Sequence, residues 1–203
     1  MQEAHIHKRS LPHIYIEESV YFITTRLKDS IPAAIITELA NMREQYKKSL
    51  LENGDDKKSR SMFQYYDKLL DKGQFGVNYL ARHDVASIVY DAIMYYHKNY
   101  YIIYCFCIMP NHIHLVFEHI DKSKSINEIM KVIKGYSARK VNQLLDRKGS
   151  FWQSESFDRI IRDNDELNKT MNYVLMNPVK AKLVENQKDW QFIYINNELF
   201  DLD

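Results

Sequence analysis

Two adjacent runs of strand-forming residues constrain the fold of this chain more than any other feature. The first run covers residues 100–108, "YYIIYCFCI", and the second covers 111–119, "NHIHLVFEH". β-branched and aromatic residues are frequent in both, and the pattern breaks at Met109-Pro110-Asn111 between them. The sequence therefore predicts two consecutive strands, and the second comes late enough in the chain to lie centrally in a sheet.

The second strand has two chemically different faces. Side chains alternate along a strand, so Ile113, Leu115 and Phe117 share one apolar face. His112 and His114 share the opposite face. Such a pair is often only a half-exposed polar pair, but two imidazoles can bind a metal if another element supplies a third ligand. Catalysis would further require open coordination positions, through which the metal polarises a substrate oxygen.

The composition is that of a globular protein. Of the 203 residues, 45% are hydrophobic and 13% aromatic, enough for a sizeable core in one domain. The longest apolar run is far shorter than the roughly 18 residues of a membrane span, and the polar N-terminus lacks the apolar core of a signal peptide. Cys105 and Cys107 lie two apart in one strand, a poor geometry for a disulfide. We therefore expect a cytoplasmic protein with no membrane partner, in which both cysteines are packing residues.

The flanking segments alternate between strand and helix patterns. Strands are predicted within 13–27 and 156–162, and helices after Pro32 and over 81–99, 125–146 and 163–177. Residues 53–78 combine a charged turn with an aromatic segment of no clear period, and we interpret them as an insertion in a single domain spanning 1–203. The order β, α, β, β, α, β, α predicts an α+β fold, a two-layer sandwich with helices packed on one face of an antiparallel sheet.

The predicted helix over 125–146 begins with a capping box and carries a local excess of positive charge. Ser125 and Glu128 have the spacing of the capping box. The whole chain is almost neutral, with 28 Lys plus Arg against 27 Asp plus Glu, so a nucleic-acid partner would need a local basic patch. Such a patch could contact phosphates, or it could be only a solvated helix face. Its basic residues are Lys131, Lys134, Arg139, Lys140, Arg147 and Lys148, opposed by Asp146 alone.

The predicted helix over 163–177 offers a nucleophile beside a possible ligand. Tyr173 and Asn177 are four residues apart and therefore lie on one side of the helix. A phenol attacks poorly unless a metal activates the phosphate or the pKa of the phenol is lowered, so a neighbouring metal ligand would suit a nucleophilic tyrosine. The alternative is a boundary tyrosine and an asparagine at a helix end, before Pro178 stops the helix.

Four segments in this order resemble the REP-associated tyrosine transposases, an IS200-like family of the HUH endonuclease superfamily. They are "RSLPHIYIEESVYFITTRL", "CIMPNHIHLVFE", "FWQSESFDRIIRD" and "MNYVLMNPVKAKLV". An HxH pattern alone is weak evidence for this family, and the longer motif "MPNHIHLV" is more specific. The position of that motif before "WQ" and "YxxxNP" is strong evidence. The resemblance reaches both ends of the chain but not 53–78, and it implies a ferredoxin-like sheet.

The resemblance also implies roles for individual residues. His112 and His114 match the metal-binding histidines, Tyr173 matches the nucleophile, and Asn177 matches a third metal ligand. It implies cleavage of single-stranded or hairpin DNA with Mg²⁺ or Mn²⁺, through a 5′-phosphotyrosine link and a released 3′-hydroxyl. Related enzymes act as monomers or as dimers that exchange active-site helices, so a homodimer is among the expected partners.

Alternatives remain for single residues and for the whole protein. Trp152 could stack on an unpaired base or pack a turn against the core. Tyr136 competes with Tyr173 as the nucleophile, although the residue one turn after it, Lys140, cannot bind a metal. The chain could also be a domesticated protein that binds DNA hairpins without cleaving them, or a hydrolase whose HxH pair holds Zn²⁺ and activates water. A covalent protein–DNA adduct would separate the transposase from both.

Overall fold

The computed structural model describes most of the chain from the third strand onward and shorter ranges before it. The described residues are 5–8, 12–15, 19–32, 34–39, 41–42, 65–70, 76–121 and 123–199. Part of the helix predicted after Pro32, and most of the segment 53–78, lie outside these ranges.

The strands form one large sheet and one small ribbon. β1 (His5–Lys8) and β2 (Pro12–Tyr15) pair with each other in an antiparallel ribbon. The large sheet is antiparallel throughout, with the strand order β6-β3-β5-β4-β7. Its strands are β3 (Val20–Arg26), β4 (Tyr101–Ile108), β5 (His112–His119), β6 (Phe157–Ile161) and β7 (Ile193–Ile195). The histidine strand β5 is central, as predicted.

Helices precede, separate and follow these strands. Residues 34–39 and 41–42 are helical and are called α1, and residues 65–70 form α2. The remaining α-helices are α3 (His83–Met94), α4 (Ile126–Leu144), α5 (Asn164–Leu175) and α6 (Asn177–Lys180). Within the described ranges, short 3₁₀ helices cover Tyr79–Ala81, Gln187–Asp189 and Asn197–Leu199. Among the helices in the described part of the chain, none is both long and apolar enough to cross a bilayer.

Local signals account for several helix ends. The predicted capping box of α4 is present: the Ser125 hydroxyl accepts a hydrogen bond from the Glu128 amide, and the Glu128 carboxylate accepts one from the Ser125 amide. α5 ends at Leu175, slightly before the predicted end. Pro178 does not stop the chain from being helical, because it lies in the first turn of α6, where its missing N–H has no intrahelical partner.

Helices cover both faces of the large sheet. α3 and α4 pack against the face that carries Ile113, Leu115 and Phe117. α1, α2 and α5 pack against the other face, which carries Phe22 and Val116. The α+β class is confirmed, but the second helical layer was not expected from the sequence. It is needed because β5 is buried on both faces from its first residue to its sixth.

A β-bulge in β4 changes which residues point to each layer. The pairing of β4 with β5 shifts between Ile103 and Cys105, so one extra residue interrupts the alternation. After the bulge, Phe106 packs with α3 and α4, whereas Cys105 and Cys107 pack with α5. Both cysteines are buried in this core, which confirms that they are packing residues.

Two neighbouring residues of α4 provide a test of this packing. Ile133 is 1% exposed and lies in the core between α4 and the sheet, whereas Val132 is 41% exposed. Ile133→Ala should lower the free energy of unfolding by about 2–5 kcal/mol, because it removes buried methyl groups and leaves a cavity. Val132→Ala should change it by less than about 0.5 kcal/mol. Urea unfolding followed by circular dichroism measures both, and equal losses would contradict the packing of α4.

Candidate metal centre and active site

His112 and His114 meet on the face of β5 that α5 covers. Both side chains are fully buried, and their Nε2 atoms lie 3.0 Å apart. The two rings are nearly perpendicular, at 75°. Two ligand atoms about 2.1 Å from one ion, and at right angles around it, are about 3.0 Å apart. The two imidazoles are therefore spaced as ligands of a single cation.

The other ring nitrogen of each histidine is held by a polar side chain. Asn111 Oδ1 lies 2.6 Å from His112 Nδ1, and Thr24 Oγ1 lies 2.8 Å from His114 Nδ1. An amide oxygen can only accept, so His112 carries its proton on Nδ1 and has a lone pair on Nε2. The Thr24 hydroxyl can donate or accept, so His114 can also present a lone pair at Nε2 when a cation replaces the proton shared by the two rings.

Burial favours the metal-binding form of His112. Desolvation lowers the pKa of His112 well below its usual value, and the neighbouring His114 lowers that pKa further. A neutral imidazole keeps the lone pair that binds a metal, whereas a protonated one has no free lone pair. At neutral pH the environment therefore keeps His112 ready for a cation.

A carboxylate from α2 reaches the same point. Asp67 Oδ1 lies 3.3 Å from His114 Nε2, and the Asp67 side chain is buried. The possible ligand atoms of Asp67, His112 and His114 all lie within 4.8 Å of one another. Two imidazoles and a carboxylate can hold a divalent cation.

The sequence did not indicate Asp67 as a site residue. It belongs to the segment 53–78, whose period was unclear and which we interpreted as an insertion. The buried residues Tyr66, Leu69 and Leu70 have helical spacing and could have indicated a packed helix. That spacing could not have identified Asp67 as a metal ligand, because it does not show that the helix packs on the strand that carries the histidines.

Tyr173 and Asn177 lie beside the histidine pair. The ring centre of Tyr173 is 5.6 Å from that of His114, and the Asn177 Nδ2 atom is 3.3 Å from the Tyr173 hydroxyl oxygen. Asn177 is fully buried, and its Oδ1 atom has no hydrogen-bond partner within the described residues. A buried acceptor without a donor is costly, and a cation would satisfy it. These residues therefore fit a metal with an adjacent tyrosine.

Two positive charges lie close to this site. The Lys180 Nζ atom is 4.6 Å from the ring centre of Tyr173. Arg26 pairs with His112 across the two strands and is buried, and its Nη1 atom donates to the Ser30 hydroxyl at 3.2 Å. No acidic partner of Arg26 occurs in the part of the chain that the structure describes. A buried guanidinium of this kind favours an anionic ligand.

The basic residues of α4 lie away from the histidines, on the helical layer that covers the opposite face of the sheet. Lys134 donates to the carbonyl oxygens of Gln153 and Ser154 at 2.6 and 2.9 Å, so it also holds a loop. Arg139 is exposed and lies 5.9 Å above the ring of Tyr136. Lys131 and Lys140 are exposed as well.

Trp152 is part of the core. Its side chain is 6% exposed, and its Nε1–H donates to the Ser137 hydroxyl at 2.9 Å. Its ring contacts Phe151 edge-on, with 4.9 Å between ring centres. The structure thus favours the packing alternative, because an indole enclosed in this way presents no face to an unpaired base.

The fold and the site together define a class of protein. The class has an antiparallel sheet with a buried HxH pair and a tyrosine on the helix packed against it, and comparison with known proteins identifies it. Residues 78–177 match the family described as "Transposase IS200 like". This range contains both histidines, Tyr173 and Asn177, but not Asp67. Over these residues the chain matches the IS200-like transposases, which confirms the resemblance seen in the sequence.

Individual relatives agree with this assignment. A Haemophilus influenzae protein named as a REP-associated tyrosine transposase is 28% identical over 95 residues, which cover 42% of this chain and 54% of that protein. The chain thus spans about half the length of this curated relative.

Solved structures support the fold. A REP-associated tyrosine transposase bound to a REP hairpin overlaps with a TM-score of 0.55 at 14% identity, covering 92% of this chain and 82% of that chain. A Deinococcus radiodurans protein named as a transposase gives a TM-score of 0.40 at 12% identity, over 78% of this chain and 90% of that chain. The second overlap is too loose to add to the first.

The enclosure of Trp152 generates a prediction about DNA affinity. Trp152→Leu should lower the free energy of unfolding by about 2–4 kcal/mol, because it removes buried ring area and the bond to Ser137. The affinity for single-stranded DNA should not change while the variant is folded. Fluorescence anisotropy with a labelled oligonucleotide measures that affinity. Ser137→Ala is the control, since it removes the same hydrogen bond without removing a ring; an affinity loss confined to Trp152→Leu would support stacking.

Proposed function

We propose that this protein is a metal-dependent single-stranded DNA endonuclease and strand transferase, with Tyr173 as its nucleophile. The observation that carries the proposal is a chain of contacts. The Nε2 atoms of the HxH pair lie 3.0 Å apart, the ring of Tyr173 packs on His114, and the Tyr173 hydroxyl lies 3.3 Å from the amide nitrogen of Asn177, whose oxygen has no partner among the described residues. The match to the IS200-like transposases supports this class of reaction. A REP hairpin bound to a relative of the same fold supports hairpin DNA as the substrate.

Mg²⁺ or Mn²⁺ is the proposed cofactor, held by His112, His114 and Asn177. A mixed set of imidazole nitrogens and uncharged or anionic oxygens suits these ions. When bound, the ion would polarise the scissile phosphate. Asn111 and Thr24 position the two imidazoles, and loss of such supporting hydrogen bonds commonly weakens a metal site.

Tyr173 would carry out the exchange of bonds. Its phenolic oxygen forms a bond to the phosphorus of a phosphodiester, and the bond from phosphorus to the 3′ oxygen breaks. The phenolic proton is released, and the departing 3′ oxygen gains a proton to become a hydroxyl. The resulting 5′-phosphotyrosine preserves an ester bond, so the 3′-hydroxyl can later attack it and rejoin the strand. Asn177 would help to hold the Tyr173 hydroxyl in position.

The competing tyrosine is poorly placed for this reaction. Tyr136 lies on α4, across the sheet from the histidine pair, and is 41% exposed. Its side chain is therefore separated from the candidate metal by a layer of β-structure. A domesticated, non-cleaving protein is not favoured, because the HxH pair, Tyr173 and Asn177 are all retained and Tyr173 contacts both His114 and Asn177.

We also propose that the chain forms one catalytic domain over residues 1–203. The observation in favour is that α2, from the segment 53–78, packs in the same core as α5. The basic side chains of α4 would serve as a second DNA contact, on the other side of the sheet from the tyrosine.

A covalent adduct tests the nucleophile. Wild-type protein incubated with single-stranded hairpin DNA and Mn²⁺ should form a protein–DNA adduct that survives denaturing electrophoresis. Tyr173→Phe should abolish the adduct, because it removes the attacking oxygen and keeps the ring that packs on Phe22 and His114.

Tyr136→Phe is the matched control and should form the adduct at the wild-type level. The assignment would be wrong if Tyr173→Phe kept the adduct and Tyr136→Phe lost it. If wild-type protein bound the hairpin but formed no adduct with any palindromic substrate, the non-cleaving alternative would replace the proposed function.

Salt dependence tests the basic helix. The triple variant Lys131→Gln, Arg139→Gln and Lys140→Gln should reduce the slope of log affinity against log salt by about 2–3 for a hairpin, because each phosphate contact contributes about 0.9 to that slope. Lys134 is left intact because it holds the loop at Gln153. Lys188→Gln, an exposed lysine outside α4, is the control. An unchanged slope in the triple variant would show that this surface is only solvated.

A further inference from the structure

We infer that Asp67 binds the metal together with His112 and His114, so that α2 is part of the catalytic centre. This inference rests on the proposed function, since it requires that the HxH pair holds a cation. It extends that function, because Asp67 lies before residue 78, where the family match begins. It also lies outside all four sequence segments that carry the resemblance to the transposases.

The first argument is the state of the Asp67 carboxylate. Its side chain is 6% exposed, and its Oδ1 atom makes no hydrogen bond within the described residues, although His114 Nε2 is only 3.3 Å away. A buried carboxylate oxygen without a donor is unfavourable. A divalent cation at the point where the three side chains converge would provide the missing partner.

The second argument is that the two imidazoles supply too few protons for the acceptor atoms that converge there. His112 holds its proton on Nδ1, toward Asn111, so its Nε2 atom can only accept. A single proton on His114 Nε2 can then serve His112 at 3.0 Å, and the Asp67 oxygen is left without a donor. The one proton on His114 cannot serve both the His112 nitrogen and the Asp67 oxygen, whereas one cation can bind all three atoms.

The third argument is that α2 holds Asp67 firmly in place. Tyr66, Leu69 and Leu70 on the same short helix are buried in the core shared with α5. The Leu70 carbonyl oxygen accepts a hydrogen bond of 3.1 Å from Asn111, the residue that orients His112. One side chain, Asn111, thus ties the helix that carries Asp67 to the imidazole of His112, as expected for members of one site.

A carboxylate changes the chemistry of the site. With Asp67, the set contains two neutral imidazoles, one amide oxygen and one negative oxygen, and the negative charge offsets part of the charge of a divalent cation. Hard cations such as Mg²⁺ and Mn²⁺ prefer oxygen ligands, and anionic oxygens above all. Asp67 should therefore account for much of the affinity for the metal. A variant without the Asp67 carboxylate should bind the metal more weakly, although it keeps Tyr173 and the HxH pair.

The experiment measures binding of Mn²⁺ to the full chain without DNA, by electron paramagnetic resonance of the free ion or by calorimetry. Asp67→Asn, which keeps the size of the side chain and removes its charge, should weaken Mn²⁺ affinity at least about tenfold. Asp91→Asn, an exposed carboxylate on α3, is the matched control and should bind as wild type does. His114→Ala is the reference for a lost ligand and should bind no Mn²⁺ at this site.

Thermal stability separates a ligand from a structural partner of His114. In metal-free protein, Asp67→Asn should melt at the wild-type temperature or above it, because it removes an unpartnered buried charge. Mn²⁺ should raise the melting temperature of wild type and of Asp91→Asn, and it should raise that of Asp67→Asn far less. A lower metal-free melting temperature together with unchanged Mn²⁺ affinity would assign Asp67 a structural role and overturn the inference.

The outcomes distinguish this inference from the proposed function. If Asp67→Asn binds Mn²⁺ as wild type does while His114→Ala does not, Asp67 is not a ligand but the HxH site stands. If His114→Ala binds Mn²⁺ as well as wild type, or wild type does not bind it, both the metal centre of the proposed function and the role of Asp67 are rejected.

Discussion

The structure depends on the burial of two imidazoles in the middle of a sheet. Polar groups in a core need partners, and here each ring uses its Nδ1 atom for a specific neighbour, Asn111 or Thr24. The bond to Asn111 requires one conformation of the turn before β5. The bond to Thr24 requires a register of β3 and β5 in which Thr24 lies opposite His114. The same bonds that make the pair tolerable in the core also direct both Nε2 atoms to one point.

The two faces of the sheet perform different tasks. The side under α3 and α4 is an apolar core, which stabilises the sheet by burial of aliphatic and aromatic groups. The side under α2 and α5 combines apolar packing with the histidines, Asp67 and Asn177. The exposed basic residues of α4 belong to the first side, so a DNA strand in contact with α4 would reach Tyr173 only by passing round an edge of the sheet.

Much of this architecture could be predicted from local patterns, and the misses have clear physical reasons. β4, β5, α3, α4 and α5 were predicted because alternation and helical spacing are strong over eight or more residues. β7 has three residues and α6 has four, too few for any period to be recognised. The second helical layer was missed because helical spacing does not state which face of the sheet a helix covers: α5 was predicted as a helix, but its side of the sheet was not.

The sequence by itself determined which side chains share a face: His112 with His114 on a strand, and Tyr173 with Asn177 along a helix. These relations follow from backbone geometry and need no knowledge of the rest of the chain. Only the tertiary structure decided that Asp67 lies against His114, that Trp152 points into the core and that Tyr136 lies across the sheet. Periodicity assigns a residue to a face of its own element, whereas the packing of all elements decides what that face meets.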